Sequence, residues 1–160
     1  WRMIPRDDKK DKLLKRGDLL VTKSSGSAKH LGKTALVNER IDLMSCCFSN
    51  FMQRLRTNSS LESELLYYFL NIPLGREQMN FYGSTTTGLA NVNARVLSEL
   101  NVPIPPELEQ NRILLYIKNN SKKIDRLKNK IEETIVKLQE YRTSIISAAV
   151  TGKIDVRDQV

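Results

Sequence analysis

The stretch Val102-Pro103-Ile104-Pro105-Pro106 divides this chain of 160 residues into two parts of different character. It holds three of the five prolines of the chain. Each proline fixes its own φ and forces the preceding residue out of the α region, so the stretch is extended. Pro106 suits the first position of a helix, and acidic side chains follow it at Glu107 and Glu109. A helix is therefore predicted to begin directly after the prolines.

The predicted helix is long and carries a repeating apolar stripe. No proline or glycine occurs over residues 107–151, and Gly152 is a typical helix end. With Ile117 as position a of a seven-residue repeat, every a position is Ile or Leu, whereas the d positions include the polar Asn120 and Thr134. A repeat held over about five heptads predicts a coiled coil. The residues expected to pair with another helix are Ile117, Ile124, Leu127, Ile131, Leu138, Tyr141 and Ile145.

The length of this helix indicates a partner. At 1.5 Å per residue, roughly 44 residues give a rod of about 65 Å, which is longer than a globule of ~100 residues is wide. Part of the stripe must therefore find a partner outside the N-terminal core. The alternative is a single long helix that lies partly on its own domain.

The residues before the prolines mix short strands and helices. Strands are predicted at residues 17–22 and 34–37. Ser59 and Glu62 have capping-box spacing and predict a helix that must end before Pro73. Further short helices are predicted at residues 75–82 and around residues 93–99.

Because strands and helices do not alternate as regular βαβ units, the predicted fold class is α+β, a globular domain followed by one long coiled-coil-forming α-helix. The expected organisation is a globular domain at residues 1–102, a proline linker at 103–106, the long helix at 107–151 and a C-terminal tail at 152–160.

The charge balance favours a polyanionic partner. Lys and Arg number 26 against 18 Asp and Glu, and residues 1–40 alone carry a net charge of +6. No stretch approaches the ~18 consecutive apolar residues of a membrane span, so no membrane partner is expected. Cys46 and Cys47 are adjacent and cannot staple distant segments. Reduced thiols and the lack of an apolar signal segment predict a cytoplasmic location.

No residue set predicts catalysis, a metal site or a cofactor. Gly32-Lys33-Thr34 resembles the end of a phosphate-binding loop, but that motif needs glycine at position 27, where Ser27 stands. The residues after Thr34 also favour a strand, whereas such a loop must lead into a helix. His30 is the only histidine and has no partners at ligand spacing.

Two polar loops, at residues 23–33 and 83–93, are the predicted binding elements. Short polar side chains can contact base edges, while Lys and Arg contact phosphates. The alternative is that these are ordinary turns whose Ser, Thr and Asn side chains cap their own backbone. The residues predicted to bind DNA are Lys23, Ser24, Ser25, Ser27, Lys29, His30 and Lys33 in the first loop, and Tyr82, Ser84, Thr85, Thr86, Thr87, Asn91 and Asn93 in or beside the second.

Residues 101–160 closely resemble the C-terminal part of the DNA specificity subunits of type I restriction-modification systems. Upstream, residues 17–20 and 83–89 are similar to the target recognition domain of that family. The resemblance covers nearly the whole chain and is strongest over residues 101–154. Its C-terminal motifs are Val102-Pro103-Ile104-Pro105-Pro106, Glu109-Gln110 with Ile113, Ile124-Asp125 with Leu127, Leu138, Glu140-Tyr141-Arg142, Ser144-Ile145-Ile146 and Ala148-Ala149-Val150-Thr151-Gly152-Lys153-Ile154.

The resemblance implies a non-catalytic subunit, or half-subunit, that recognises one half of a bipartite site in double-stranded DNA. Such subunits have two target recognition domains, each followed by a long helix, and the two helices pair antiparallel. Adenine-N6 methyltransferase (modification) subunits, which use S-adenosylmethionine, dock on this scaffold, and restriction subunits join them.

Only one domain and one helix are present, and the domain is short at its N-terminus. We therefore expect either a C-terminal fragment of a two-domain subunit or a half-subunit that forms a homodimer through the helix. The remaining alternative is a coiled-coil interaction protein whose basic head binds nucleic acid or protein without recognising bases.

Overall fold

A three-stranded antiparallel sheet lies in the N-terminal part of a computed structural model, which describes residues 12–25, 30–83 and 91–155. Its strands are β1 (Leu19–Thr22), β2 (Thr34–Leu36) and β3 (Met52–Leu55), and β1 lies between the other two. Val21 of β1 is opposite Thr34 in β2 and Gln53 in β3. Burial alternates along β1, so one face of the sheet contacts the core.

The described ranges also contain helices. Their bounds are α1 (Glu39–Leu43), α2 (Ser63–Asn71), α3 (Pro73–Gly83), α4 (Ala94–Ser98) and α5 (Glu107–Val150). The strand β1, the loop after it and helices α2 to α4 contribute the central apolar cluster. Its buried members are Val21, Leu31, Phe69, Leu70, Met79, Val92 and Val96.

The predicted α+β class and the long C-terminal helix are confirmed. Both predicted strands are present, as are the short helices predicted at residues 75–82 and 93–99 and the long helix predicted at 107–151. The sequence did not predict α1 or β3. Neither has a clear apolar period, because no residue of α1 is buried and all four residues of β3 are half-buried.

The capping box predicted at Ser59 is wrong. The helix α2 begins at Ser63 with Glu62 as its N-cap, and no side chain of that cap accepts a hydrogen bond. Asn58 instead closes a turn, because its Oδ1 accepts hydrogen bonds from the backbone N–H and the hydroxyl of Ser60. The backbone N–H of Glu62 donates to Oε1 of Gln110 at 2.8 Å, so a distant side chain satisfies it.

A buried ion pair fixes the start of β1. Asp18 is 1 % exposed and accepts hydrogen bonds from Nε and Nη2 of Arg56, at 2.6 and 2.8 Å, and from the backbone N–H of Lys15. Burial acts to raise the pKa of Asp18, but these donors and the positive charge of Arg56 outweigh it and hold that pKa below its usual value. The hydrogen bond to Asp18 raises the pKa of Arg56, although burial opposes this change.

The chain divides into two compact units, residues 1–114 and 115–160, and the second consists mainly of the rest of α5. The helix α5 ends at Val150, and Gly152 beyond it has a left-handed φ of +71°, while the N–H of Lys153 donates to the carbonyl of Ala148. Glycine adopts this conformation without steric cost. Within the described ranges, no helix is both long and apolar enough to cross a membrane.

Candidate nucleic-acid interface

The first predicted loop leaves the sheet between β1 and β2. The N–H of Thr22 donates to the carbonyl of Lys33, and the N–H of Gly32 donates to the carbonyl of Thr22, both at 2.9 Å. Gly32 has a φ of +68°, and a Cβ there would lie 3.1 Å from the sulfur of Met79 in α3. Glycine is therefore required by both the backbone and the packing, and the base of this loop is fixed against α3.

The second loop begins beside the first. The backbone N–H of Val92 donates to the carbonyl of Lys23 at 2.9 Å, and that of Asn91 donates to the carbonyl of Gly83 at 3.0 Å. Val92 is completely buried in the core. One hydrogen bond therefore joins the stems of two loops whose residues are about 70 positions apart in sequence.

A third segment, the turn before β3, lies at the same place. The backbone N–H groups of Lys23 and Ser24 donate to the carbonyl of Phe51, at 2.8 and 3.4 Å. The side chain of Lys12 donates to Oδ1 of Asn50 at 3.1 Å. We name the surface formed by residues 23–25, 30–33, 49–51 and 91–93 the loop end of the sheet.

The predicted DNA-binding residues differ in exposure. Lys23, Ser24 and Asn91 are half-buried, whereas Ser25, His30, Lys33, Tyr82 and Asn93 are exposed. The residues Ser27, Lys29, Ser84, Thr85, Thr86 and Thr87 lie outside the described residues. The structure therefore brings together the stems of both loops and leaves their DNA contacts as predictions.

The two asparagines of the second loop have different environments. Oδ1 of Asn93 accepts a hydrogen bond from the N–H of Val96 and caps α4, so that oxygen has a structural role. Oδ1 of Asn91 is buried and has no hydrogen-bond partner within the described part of the chain. Asn91 lines a cavity of about 380 Å³ together with Tyr82 and Arg95. An unsatisfied buried acceptor is costly, and an amino group entering this cavity would satisfy it.

Charged residues lie at both ends of the sheet. Lys12, Lys23 and Lys33 lie at the loop end. At the opposite end, Asp18 and Asp42 accept hydrogen bonds near the start of β1. Lys15, Arg16 and Arg56 also lie at that opposite end. The loop end therefore holds part of the basic charge, as three lysines beside the loop stems. Such a surface attracts phosphates.

The predicted pairing residues of α5 form an exposed apolar stripe. Ile124, Leu127, Ile131, Leu138 and Tyr141 are each 60 to 65 % exposed, Ile145 is 41 % exposed, and Ile117 is half-buried. Apolar side chains that repeat in this way on a long helix are typical of a helix-pairing surface.

The side chains at the two polar d positions form hydrogen bonds with the backbone of their own helix. The side-chain amide of Asn120 donates to the carbonyl of Tyr116 at 2.9 Å, and the hydroxyl of Thr134 donates to the carbonyl of Lys130 at 2.8 Å. One N–H of Asn120 and the hydroxyl of Thr134 are thus satisfied within the helix. A neighbouring helix can therefore contact these positions without providing acceptors for those donors.

The described geometry bears on two further kinds of site, a metal site and a phosphate-binding loop. In the ranges that the structure covers, no group of three His, Cys, Asp or Glu side chains is placed to hold a metal ion. Thr34 enters the strand β2 and not a helix, as the sequence predicted, so the Gly32-Lys33-Thr34 motif does not form a phosphate-binding loop.

Known proteins with related sequences are subunits of restriction enzymes. Residues 5–137 match the family model described as "Type I restriction modification DNA specificity domain". The chain is 26 % identical to the type I restriction enzyme EcoKI specificity subunit of Escherichia coli (strain K12) and 25 % identical to the StySPI specificity subunit of Salmonella potsdam. Each alignment covers 86 % of this chain and 29 % of the relative, so the chain spans less than a third of their length.

The fold has a match among solved structures. A chain from work on complex assembly and conformational transition of the type I R-M system superposes with a TM-score of 0.70 and 26 % sequence identity. The superposition covers 93 % of this chain and 33 % of the other. The family model spans most of the sequence, including the sheet, both loop stems and much of α5. This chain therefore belongs to the family of type I restriction modification DNA specificity domains.

Proposed function

We propose that the chain recognises one half of a bipartite site in double-stranded DNA through the loop end of its sheet. The observation that carries this proposal is the hydrogen bond between Val92 and Lys23, which holds the stems of both polar loops together. Base recognition needs several short side chains on one rigid frame. The sheet and α3 provide that frame, because Val92 and Met79 are completely buried beneath the loops.

Positive charge at the loop end positions the DNA in this proposal. Lys33 is exposed and Lys23 is half-buried, so both can reach phosphate oxygens without breaking a hydrogen bond of the sheet. Phosphate contacts fix the register of a protein on a duplex, and contacts to base edges specify the sequence. The unsatisfied oxygen of Asn91 is suited to accept a hydrogen bond from an exocyclic amino group of adenine or cytosine.

The helix α5 sets the distance between two such recognition domains. Its exposed stripe pairs with the helix of a second specificity half, or with that of a second copy in a homodimer. Burial of each large side chain of the stripe stabilises that pair by about 1.5–3 kcal/mol when the side chain becomes fully buried. The pair then carries adenine-N6 methyltransferase subunits and a restriction subunit in the cytoplasm, and this chain performs no catalysis.

The proposal is tested by DNA binding of the complex at several salt concentrations. Lys33→Ala removes a phosphate contact, so we expect weaker binding to every duplex and a fall of about 0.9 in the slope of log K against log salt concentration. Asn91→Ala removes a base contact, so we expect selectivity at one base pair to fall by about 1–3 kcal/mol while the salt slope is unchanged.

Lys15 provides a matched control for the loss of charge. It is exposed and lies before β1, at the opposite end of the sheet, so Lys15→Ala removes the same charge without touching the loop end. We expect it to change the salt slope much less than Lys33→Ala. Equal effects of the two variants would contradict the placement of DNA at the loop end. Binding that is independent of sequence would instead favour a basic interaction protein without base recognition.

A further inference from the structure

Phe51 is an exposed aromatic side chain at the loop end. It is 68 % exposed, although a side chain as large and apolar as phenylalanine is usually buried. It lies in the turn immediately before β3, which the sequence pattern did not predict.

The backbone of Phe51 is held firmly. Its carbonyl accepts hydrogen bonds from the N–H groups of Lys23 and Ser24, and the N–H of Met52 donates to the carbonyl of Ser49 at 3.0 Å. These bonds tie the turn to the base of the first loop. An exposed apolar ring on a fixed backbone loses little conformational entropy on binding, which favours its use as a contact.

The surroundings of Phe51 indicate which partner it contacts. The backbone N–H of Lys23 is bonded to its carbonyl, and the side chain of Lys12 is bonded to the neighbouring Asn50, so two lysines lie beside this turn. A protein partner with an apolar surface would have to bury these charges, whereas DNA offers phosphates for the lysines and apolar base faces for the ring. The position is also continuous with both polar loops.

We propose that Phe51 is a specificity-determining DNA contact whose ring packs against the bases while the adjacent lysines hold the phosphates. This inference rests on the proposed function and deepens it. Apolar side chains contact the methyl group of thymine or insert at a base step and partly unstack it. Both contacts favour some base sequences over others, and neither releases counterions. Phe51 should therefore affect selectivity and leave the salt dependence unchanged.

The test compares Phe51→Ala with Leu43→Ala in the complete complex. Leu43 is 80 % exposed, and its helix α1 lies near the start of β1, because Asp42 accepts a hydrogen bond from the N–H of Arg16. It is thus an equally exposed apolar side chain at the other end of the sheet. The probes are a duplex with the target site, identified by mapping adenine methylation, and a duplex of the same length with that site scrambled.

We expect Phe51→Ala to weaken binding to the target duplex by about ten- to a hundred-fold, with a much smaller change for the scrambled duplex and an unchanged salt slope. Phe51→Leu should retain part of the affinity, and Leu43→Ala should bind like the original protein. Thermal unfolding of each variant verifies that the fold is kept. A target duplex with a 2-aminopurine reporter separates the two contacts, because only insertion at a base step raises its fluorescence.

Three results would overturn the inference. The first is an unchanged preference of Phe51→Ala for the target duplex over the scrambled one. The second is an equal loss of affinity for the target duplex in Leu43→Ala. The third is a loss of affinity in Phe51→Ala that is accompanied by a lower salt slope. If Phe51→Ala prefers the target duplex over the scrambled duplex as strongly as the original protein does, this inference fails and the proposed function stands. If the original complex prefers no duplex, the proposed function fails, and the inference fails with it.

Discussion

Replacing Gln110 with alanine should destabilise the N-terminal unit, because this side chain joins the start of α5 to the segment before α2. Gln110 is 2 % exposed. Its Oε1 accepts from the N–H of Glu62, and its Nε2 donates to the carbonyls of Ser60 and Pro105, each at 2.8 Å. If each of these three hydrogen bonds contributes a net value near 1 kcal/mol, their removal lowers the free energy of unfolding by about 3 kcal/mol. Since Glu62 and Ser60 are exposed and water can reach them, we expect about 2–3 kcal/mol.

Urea unfolding of the full chain measures this loss, and hydrogen exchange locates it. In Gln110→Ala, the N–H of Glu62 should exchange faster, because its acceptor has been removed. Gln139 is an exposed glutamine on the same helix and supplies the control, so Gln139→Ala should change the free energy of unfolding by no more than about 0.5 kcal/mol. Equal stability of the two variants, with unchanged exchange at Glu62, would refute this account of how α5 is attached.

Three further predictions concern packing, charge and pairing. Gly75→Ala should destabilise by roughly 3 kcal/mol or more in urea unfolding, because a Cβ there would overlap the carbonyl oxygen of Phe69. Asp18→Asn should lower the free energy of unfolding by about 2 kcal/mol at pH 7, because Arg56 loses its charged partner. Solvent screening limits this loss, since Arg56 is 47 % exposed. The pKa of Asp18 is lowered on folding, so this difference should be present above about pH 4 and shrink as the pH falls through the folded-state pKa. Ile131→Asp should abolish helix pairing in sedimentation experiments, and an unchanged mass would contradict the pairing.

Much of the fold could be predicted because the relevant signals are local. The prolines at 103–106 fix where α5 begins, and Gly152 fixes where it ends, whatever the rest of the chain does. The strand β1 is a short apolar run that follows a turn, so it could be predicted, whereas the alternate burial of its residues is seen only in the structure. Asn93 likewise caps α4 through a bond to a residue three positions away.

The features that could not be predicted depend on contacts between distant residues. The strand β3 has polar residues at its centre and is defined by pairing with β1, so its own pattern gives little signal. The capping box failed because Gln110, far along the chain, satisfies the N–H of Glu62. Two loops could be chosen by composition, but only the bond between Val92 and Lys23 places their stems together, and the same contacts place Phe51 beside them.

The loop end is proposed to determine which DNA sequence the complex recognises. A map of adenine methylation across the source genome, with and without the gene for this chain, tests this proposal. We expect one bipartite motif to lose methylation when the gene is deleted, and Asn91→Ala to relax a single base of one half of that motif. An unchanged methylation pattern after deletion would refute DNA recognition by this chain.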